Sequence, residues 1–161
     1  MQYQSAREFF DAARAAARES RAIRLQLAAM EQQAVAIGSG GFESRVHSTP
    51  NPDRMAARVA ALADRRAVLE QRQAECDALV DAACRVLYGT DDGRGLYALV
   101  PSPAADAIWH HYLALRTWDE TAHLVAYSKQ HVRRMVAAAF DLADANGQMW
   151  TELGRGFAQQ E

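Results

Sequence analysis

The sequence predicts an all-α protein in which a long, coiled-coil-like antiparallel helical hairpin precedes a C-terminal helix-turn-helix domain. Three observations support this fold class. Apolar residues recur at helical spacing along residues 5–37 and 52–88, glycine- and proline-rich stretches separate these segments, and residues 104–146 contain capping signals for three shorter helices. We therefore expect a hairpin at 1–88, a connector at 89–103, the helix-turn-helix at 104–146 and a short tail at 147–161.

The first predicted helix runs from Ser5 to Ile37. Its apolar and small residues alternate in steps of four and three, which is the spacing of a coiled-coil seam: Phe9, Ala13, Ala16, Ser20, Ile23, Leu27, Met30, Ala34 and Ile37. The other faces carry five arginines: Arg7, Arg14, Arg18, Arg21 and Arg24. Because acidic residues are interleaved with these arginines, we interpret them as a solvated surface and not as a DNA-binding arm. The glycine-rich residues 38–41 end the helix.

The second predicted helix begins at Pro52, a residue suited to the first helical position, and continues to Tyr88. Its heptad positions are mainly apolar, with two polar interruptions: Met55, Val59, Leu62, Arg66, Leu69, Gln73, Cys76, Val80, Ala83 and Leu87. The two helices have similar lengths, so folding back into a hairpin is the simplest arrangement. We expect such a long seam to leave apolar surface for a second copy of the chain, giving a homodimer.

The connector from Gly89 to Gly95 is predicted to be a flexible hinge. It has no Gly-Lys-Ser/Thr ending for a phosphate loop, and its acids lack the alternating spacing of a calcium-binding loop. Leu96 to Val100 is expected to form a short helical turn. Ser102 is then expected to cap the next helix, with Pro103 at its first position.

The C-terminal segment contains three predicted helices. The first is apolar, with Ile108, Tyr112 and Leu115 at helical spacing. Thr117 and Glu120 form a capping-box pattern at the start of a second helix that extends to Val125. A turn at residues 126–127 follows, and Ser128 is placed to cap a third helix that ends near Ala145.

The third helix of this segment has two distinct faces. One face is apolar and would pack on the preceding helices: Val132, Met135, Val136, Ala139, Leu142 and Ala143. The opposite face carries Gln130, Arg133, Arg134 and Ala137. Arginine bonds guanine bidentately and glutamine bonds adenine bidentately, so this face suits a recognition helix at 129–145 that reads a major groove. The candidate DNA-binding residues are Arg116, Thr117, Ser128, Lys129, Gln130, His131, Arg133 and Arg134.

The run YLALRTWDETAHLVAYSKQHVRRMVAAAFDL at residues 112–142 resembles the fourth region of bacterial sigma factors. It is closer still to small phage-borne transcriptional regulators of the ArpU and RinA type, which also begin with long helices. This resemblance implies a regulator of phage or mobile-element genes. The chain departs from the pattern in three places: Thr121 replaces an isoleucine, Ala126 replaces the turn glycine, and Leu115-Arg116 replaces a glycine corner. Ala126 must take a left-handed conformation if the turn is kept.

Composition and residue spacing also bear on metal binding, catalysis and membrane association. The 18 basic and 20 acidic residues give a net charge of −2, so any DNA-binding surface must be local. Cys76 and Cys84 are too few for a zinc site, and no acidic residue has metal-binding spacing with a histidine. No catalytic triad is suggested, so we expect no enzyme and no cofactor. The absence of a long apolar run favours a soluble, cytoplasmic protein without a membrane partner.

Two alternatives from other functional classes remain open. The hairpin would suit a phage structural, packaging or assembly protein that oligomerises, and a ring of many subunits would favour that interpretation. Alternatively, the helix-turn-helix would bind RNA polymerase or a sigma factor in place of DNA. Acidic residues around the motif favour this second alternative: Asp119, Glu120, Asp141 and Asp144.

Overall fold

A computed structural model describes residues 3–39, 52–90 and 93–146, and its fold is all-α, as the sequence predicts. The predicted loop that follows residue 39 and the C-terminal tail lie outside the described residues. The helices in these ranges are α1 (Ala6–Ser39), α2 (Pro52–Tyr88), α3 (Ser102–Ile108), α4 (Trp118–Leu124) and α5 (Lys129–Ala145). A 3-10 turn at Leu96–Ala98 precedes α3, and a π-helical turn at Trp109–Leu113 follows it.

Residues 19–75 form one compact unit, which contains the distal part of the hairpin. Arg72 of α2 bonds Glu19 of α1 at 2.7 and 3.2 Å, and Arg66 bonds Glu31 at 3.0 Å. The residue numbers of the paired positions rise along α1 and fall along α2, so the two helices run antiparallel. These ion pairs are exposed, and each contributes at most about 1 kcal/mol to stability.

The predicted seam is buried in only part of this unit. Ser20 and Ile23 of α1 are buried, whereas every side chain of α2 from residue 56 to residue 68 is exposed. Four large apolar side chains of the unit are exposed by between 42% and 68%: Leu25, Val59, Leu62 and Val68. The hairpin therefore presents apolar surface to its surroundings within the part of the chain that the structure describes.

The second compact unit combines residues 1–18 with residues 76–161. Its core is aromatic where α1 begins: the Phe10 ring stacks on Phe140 with centroids 5.3 Å apart and lies edge-on to Tyr112 at 6.0 Å. Ala83, Val86 and Leu87 of α2 belong to the same core. The base of the hairpin and the C-terminal helices thus share one core, and the boundary predicted at residue 88 falls inside this unit.

The connector contains a feature that the sequence did not suggest. Gly89–Thr90 and Gly93–Arg94 pair as a two-residue antiparallel ladder, with Gly89 opposite Arg94. Gly89 has a φ of 91°, and a Cβ atom on Gly95 would lie only 2.2 Å from the Gly89 nitrogen. Both positions therefore require glycine, and the ends of the predicted hinge are held together by backbone hydrogen bonds.

The entry to α3 corrects one expectation. The helix begins at Ser102 with Pro101 as its N-cap, so Ser102 is not the cap and Pro103 is not its first residue. The Ser102 hydroxyl donates instead to the Asp106 carboxylate at 3.2 Å. The predicted helical turn after Gly95 is present, with Leu96 and Val100 buried against the C-terminal unit.

The described residues were also compared with the requirements of a membrane-spanning helix and of a metal site. No helix among the described residues is long and apolar enough to cross a membrane. The same residues contain no group of three or more histidine, cysteine or acidic side chains arranged to hold a metal ion.

Candidate nucleic-acid interface

The start of α4 is fixed by the predicted capping box. The Glu120 amide donates to the Thr117 hydroxyl at 3.2 Å, and the Thr117 amide donates to the Glu120 carboxylate at 2.7 Å. The Thr117 hydroxyl also donates to that carboxylate at 3.0 Å. These hydrogen bonds from Thr117 hold the pKa of Glu120 below its usual range. Thr117, one of the candidate DNA-binding residues, therefore also fixes the start of α4 through these hydrogen bonds.

A Schellman turn joins α4 to α5. The Tyr127 amide donates to the Ala122 carbonyl at 3.1 Å, and the Ala126 amide donates to the His123 carbonyl at 3.3 Å. Ala126 occupies the left-handed position of this motif with a φ of 59°. Glycine is usual there because a Cβ atom is strained in that conformation. The conditional expectation for Ala126 is thus met.

The preceding corner is left-handed as well. The π-helical turn ends with the Ala114 amide donating to the Trp109 carbonyl at 2.9 Å. Leu115 then has a φ of 60°, so it does not continue the helix as its spacing suggested. This conformation lets the Arg116 amide donate to the His110 carbonyl at 2.9 Å. Both glycines that the resembled pattern would supply are therefore replaced by residues with side chains in left-handed conformations.

The α5 helix has the bounds that the sequence predicts, but its predicted apolar face is buried only in part, because Met135 is half-buried and Leu142 is 38% exposed. The Ser128 hydroxyl caps it by accepting from the His131 amide at 3.3 Å. The buried face contains Val132, Val136, Ala139 and Ala143, together with Phe140, which sequence reasoning missed. Gln130, Arg133 and Arg134 are exposed on the other side. The pair α4–α5 thus carries an exposed polar surface on a packed base.

Acidic neighbours form ion pairs with two cations among the candidate DNA-binding residues. The Lys129 ammonium lies 2.8 Å from the Asp119 carboxylate, and the Arg116 guanidinium lies 3.7 Å from Glu120. The His131 ring lies 5.1 Å from the Tyr127 ring. The surface around the first turn of α5 therefore mixes both signs of charge.

A ring stack beneath Arg133 was not predicted. His111 is 3% exposed and stacks on Trp118 with centroids 3.7 Å apart, and the Arg133 guanidinium lies 5.4 Å from the centre of the Trp118 ring. His111 Nδ1 lies 2.9 Å from the Arg116 carbonyl oxygen, so this nitrogen must carry the proton and donate. Burial is the main reason that the pKa of His111 falls to about 4.

The same carbonyl receives a second donor from a distant part of the sequence. Arg14 of α1 donates from Nη2 to the Arg116 carbonyl at 3.5 Å. The charge pattern of α1 predicts that Arg14 lies on a solvated face, but its side chain is half-buried. The alternation of basic and acidic residues along α1 does not predict this contact. Arg14 reaches the Arg116 carbonyl only because α1 packs against the C-terminal helices.

Comparisons of the chain with protein-family models, with curated proteins and with solved structures found no match.

We expect Ala126→Gly to stabilise the protein by roughly 0.5–1 kcal/mol, because glycine relieves left-handed strain that exceeds its loss of chain entropy. Chemical denaturation measures this difference in the free energy of unfolding. Ala138→Gly, in the exposed interior of α5, is the matched control and should destabilise by about 1 kcal/mol. Equal losses in both variants would contradict a strained turn at Ala126.

We also expect His111 to make stability depend on pH. Its folded-state pKa of about 4 lies below the unfolded value near 6.5, so the unfolded chain binds the proton first. Stability should be full above about pH 6.5 and decline by on the order of 3 kcal/mol as the pH falls to 4. Denaturation of His111→Asn, which keeps a donor for the carbonyl, should lack this component. If the free energy of unfolding depends on pH in the same way in both proteins, His111 is not the source of the dependence.

Proposed function

We propose that this protein is a sequence-specific DNA-binding regulator of transcription that inserts the first turns of α5 into the major groove. The observation that carries this proposal is the exposed set Gln130, Arg133 and Arg134 on a helix whose opposite face is buried. The capping box and the Schellman turn fix this helix relative to α4. A rigid, capped helix pair with a polar face on its second helix is the arrangement by which helix-turn-helix proteins read base edges.

Each exposed side chain has a role in the proposed complex. Arg133 and Arg134 would donate to guanine, and Gln130 would bond adenine. Ala137, which is half-buried, would let the backbone of α5 approach the bases. Contacts to the phosphate backbone are proposed for the remaining residues and for the backbone amides at the start of α5: Arg116, Thr117, Ser128, Lys129 and His131.

The ion pairs on this surface are compatible with phosphate binding. The Asp119 carboxylate that bonds Lys129 is 75% exposed, and the pair of Arg116 with Glu120 is open to solvent on both sides. Exposed pairs of this kind contribute about 0–1 kcal/mol, so a phosphate group at the same distance can replace the carboxylate. The acids would nevertheless weaken binding to mixed sequences and so increase dependence on base contacts.

The sequence resemblance supports a narrower biological role. The pattern Tyr127-Ser128, followed by Val132 and the paired arginines, resembles regulators of the ArpU and RinA type. We therefore propose that the target genes belong to a phage or mobile element and that the protein acts in the cytoplasm. One module with so few cations binds weakly alone, so a second copy or RNA polymerase would supply further contacts.

The second copy is proposed to bind at the distal part of the hairpin. Val59 and Leu62 are exposed at heptad positions of α2, where the pattern predicts a seam, and Val68 is exposed further along the same helix. A helix segment with all faces in water gains little stability from its own hydrogen bonds. Burial of these side chains against the same segment of another copy would cover the seam and form a homodimer.

Binding to a protein in place of DNA is the alternative function that a specific observation favours. Lys129 and Arg116 are already bonded to acidic side chains, and Leu124 and Tyr127 beside them are exposed. Such a mixed surface also suits a partner such as RNA polymerase or a sigma factor. Under this alternative the purified protein would not bind duplex DNA at any salt concentration.

The central prediction concerns duplex DNA and the two exposed arginines. Binding to mixed genomic fragments should be detectable at low salt, and the fragments that the protein retains define its selected site. Arg133→Ala/Arg134→Ala should weaken binding to that site by roughly tenfold or more, because each bidentate base contact contributes about 1–3 kcal/mol. Fluorescence anisotropy at two salt concentrations measures both effects.

The matched control for this experiment is Arg58→Ala/Arg85→Ala, which removes the same charge from exposed positions on α2. This control should bind the site like the unaltered protein. Equal losses of DNA affinity in the two double variants would mean that only the net charge of the protein matters for binding. If the unaltered protein does not bind duplex DNA at low salt, the proposed function is wrong and binding to a protein partner is favoured.

The proposed dimer predicts a sedimentation result. The unaltered protein should sediment as a dimer, and Val59→Glu/Leu62→Glu should shift it to monomer because charge is unfavourable in a buried seam. Leu25→Glu, at another exposed apolar position, tests whether α1 takes part in the interface. A ring of many subunits would instead support the packaging or assembly role, and a monomer at high concentration would rule out both assemblies.

A further inference from the structure

An apolar groove lies between α5 and the segment that leads into α3. Its volume is about 210 Å³, and every side chain that lines it is apolar. Leu99 and Pro101 contribute to one wall, and Met135, Ala138 and Leu142 of α5 contribute to the other. Leu99 and Leu142 are exposed by 43% and 38%, so the groove is open to solvent. It is called the α3–α5 groove below.

The groove leaves uncovered two residues that the sequence predicts to be packed. Met135 and Leu142 belong to the predicted apolar face of α5, yet Met135 is half-buried and Leu142 is exposed. An apolar cavity of about 150 Å³ is large enough to hold benzene. The α3–α5 groove, at about 210 Å³, therefore has room for a larger ring such as the indole of tryptophan.

The sequence that follows α5 carries apolar side chains that match this surface. Residues 147–161 contain Trp150, Leu153 and Phe157 at separations of three and four, and the residues between them are polar or glycine. An apolar stripe on an otherwise polar segment gains stability only when another apolar surface covers it. Residues 147–161 therefore need such a surface, and the groove supplies one beside the helix from which they continue.

The distance along the chain permits this contact. The α5 helix ends at Ala145, and the side chain of Asn146 donates from Nδ2 to the Leu142 carbonyl at 2.7 Å. Leu142 precedes Asn146 by four residues, which corresponds to about 6 Å along a helix axis. The four residues from Asn146 to Trp150 span at most about 14 Å. The linker is therefore long enough for Trp150 to contact the groove wall at Leu142.

We propose that the α3–α5 groove binds residues 147–161 of the same chain, with the Trp150 indole in the cavity. A segment joined to the groove by so short a linker meets it at an effective concentration in the millimolar range, which favours this occupant over a separate chain. Gln130, Arg133 and Arg134 do not line the groove. Occupancy of the groove is therefore independent of the proposed function.

Fluorine NMR of the full chain labelled with fluorotryptophan tests this assignment. The three tryptophans, Trp109, Trp118 and Trp150, give three resonances, and the resonance missing from Trp150→Phe belongs to Trp150. In the unaltered protein this resonance should lie away from its position in the denatured chain, because the groove removes the indole from water. A Trp150 resonance at the denatured-chain position would overturn the assignment and leave the groove to another partner.

A charge in the groove wall should displace the indole. Ala138→Glu introduces this charge at an exposed position. It should move the Trp150 resonance to its denatured-chain position while Trp109 and Trp118 keep theirs, which shows that the fold is intact. Ala98→Glu is the matched control, because Ala98 is also exposed but does not line the groove. This control should leave the Trp150 resonance unchanged.

The two variants are decisive in either direction. If Ala138→Glu and Ala98→Glu affect the Trp150 resonance equally, or if neither moves it, the groove does not hold the indole and the assignment is overturned. If Ala138→Glu also moves the Trp109 and Trp118 resonances, Leu99→Glu repeats the test from the opposite wall, at a position that is 43% exposed.

A mixed sample distinguishes the same chain from a second copy. Labelled Ala138→Glu is mixed with an excess of the unlabelled, unaltered protein. If the segment binds within its own chain, the labelled Trp150 resonance should stay at the denatured-chain position. Its return to the position seen in the unaltered protein would mean that the groove of a second copy holds the segment, which would overturn the assignment to the same chain.

Discussion

The packing of Phe10 against Tyr112 and Phe140 joins the beginning of the chain to its C-terminal helices. The three rings lie within 6.0 Å of one another, and such aromatic pairs add about 0.5–1.5 kcal/mol each beyond the burial of their area. Asp144 of α5 strengthens this junction by accepting from the Ala6 amide at 2.6 Å, where the first turn of α1 has donors without helical partners. This junction places the beginning of α1 beside α5.

Features set by neighbouring residues were predictable from the sequence. The capping box at Thr117 and the cap at Ser128 need only residues three positions apart, and the bounds of α5 follow from that cap and from its apolar spacing. The seam of α1 was predicted for the same reason, since Phe9, Ala13 and Ala16 recur with helical spacing and are buried. Local bonding and periodicity therefore account for the helices.

Features set by contacts between distant segments were missed. Phe10 and Phe140 do not stand out in their own helices, because their burial depends on each other and on Tyr112. His111 is buried by Trp118, which belongs to another helix. Leu115 has a left-handed conformation that its residue type disfavours and that the surrounding hydrogen bonds impose. The α1 arginines were interpreted from charge alternation alone, which holds no information about what packs beside them.

The candidate interface combines a rigid base with a modest charge. The packing beneath this surface is less favourable at Thr121, whose hydroxyl is buried without a hydrogen-bond partner among the described residues. The resembled pattern has isoleucine at this position. The chain has a net charge of −2, so the proposed attraction to DNA would have to come from the few arginines around α5. If the proposed function holds, a weakly charged protein of this kind would gain specificity because base contacts would supply a larger share of its affinity for DNA.

The most direct measurement of the central claim is methylation interference on a duplex selected by the protein from a random pool. Methylation of guanine N7 blocks the major-groove acceptor that arginine uses. If α5 enters the major groove, methylation should interfere at one or more guanines of the selected site, and one of these positions should lose its effect in Arg134→Ala. Interference confined to adenine N3 in the minor groove, or none at any position of a bound site, would contradict insertion of α5 into the major groove.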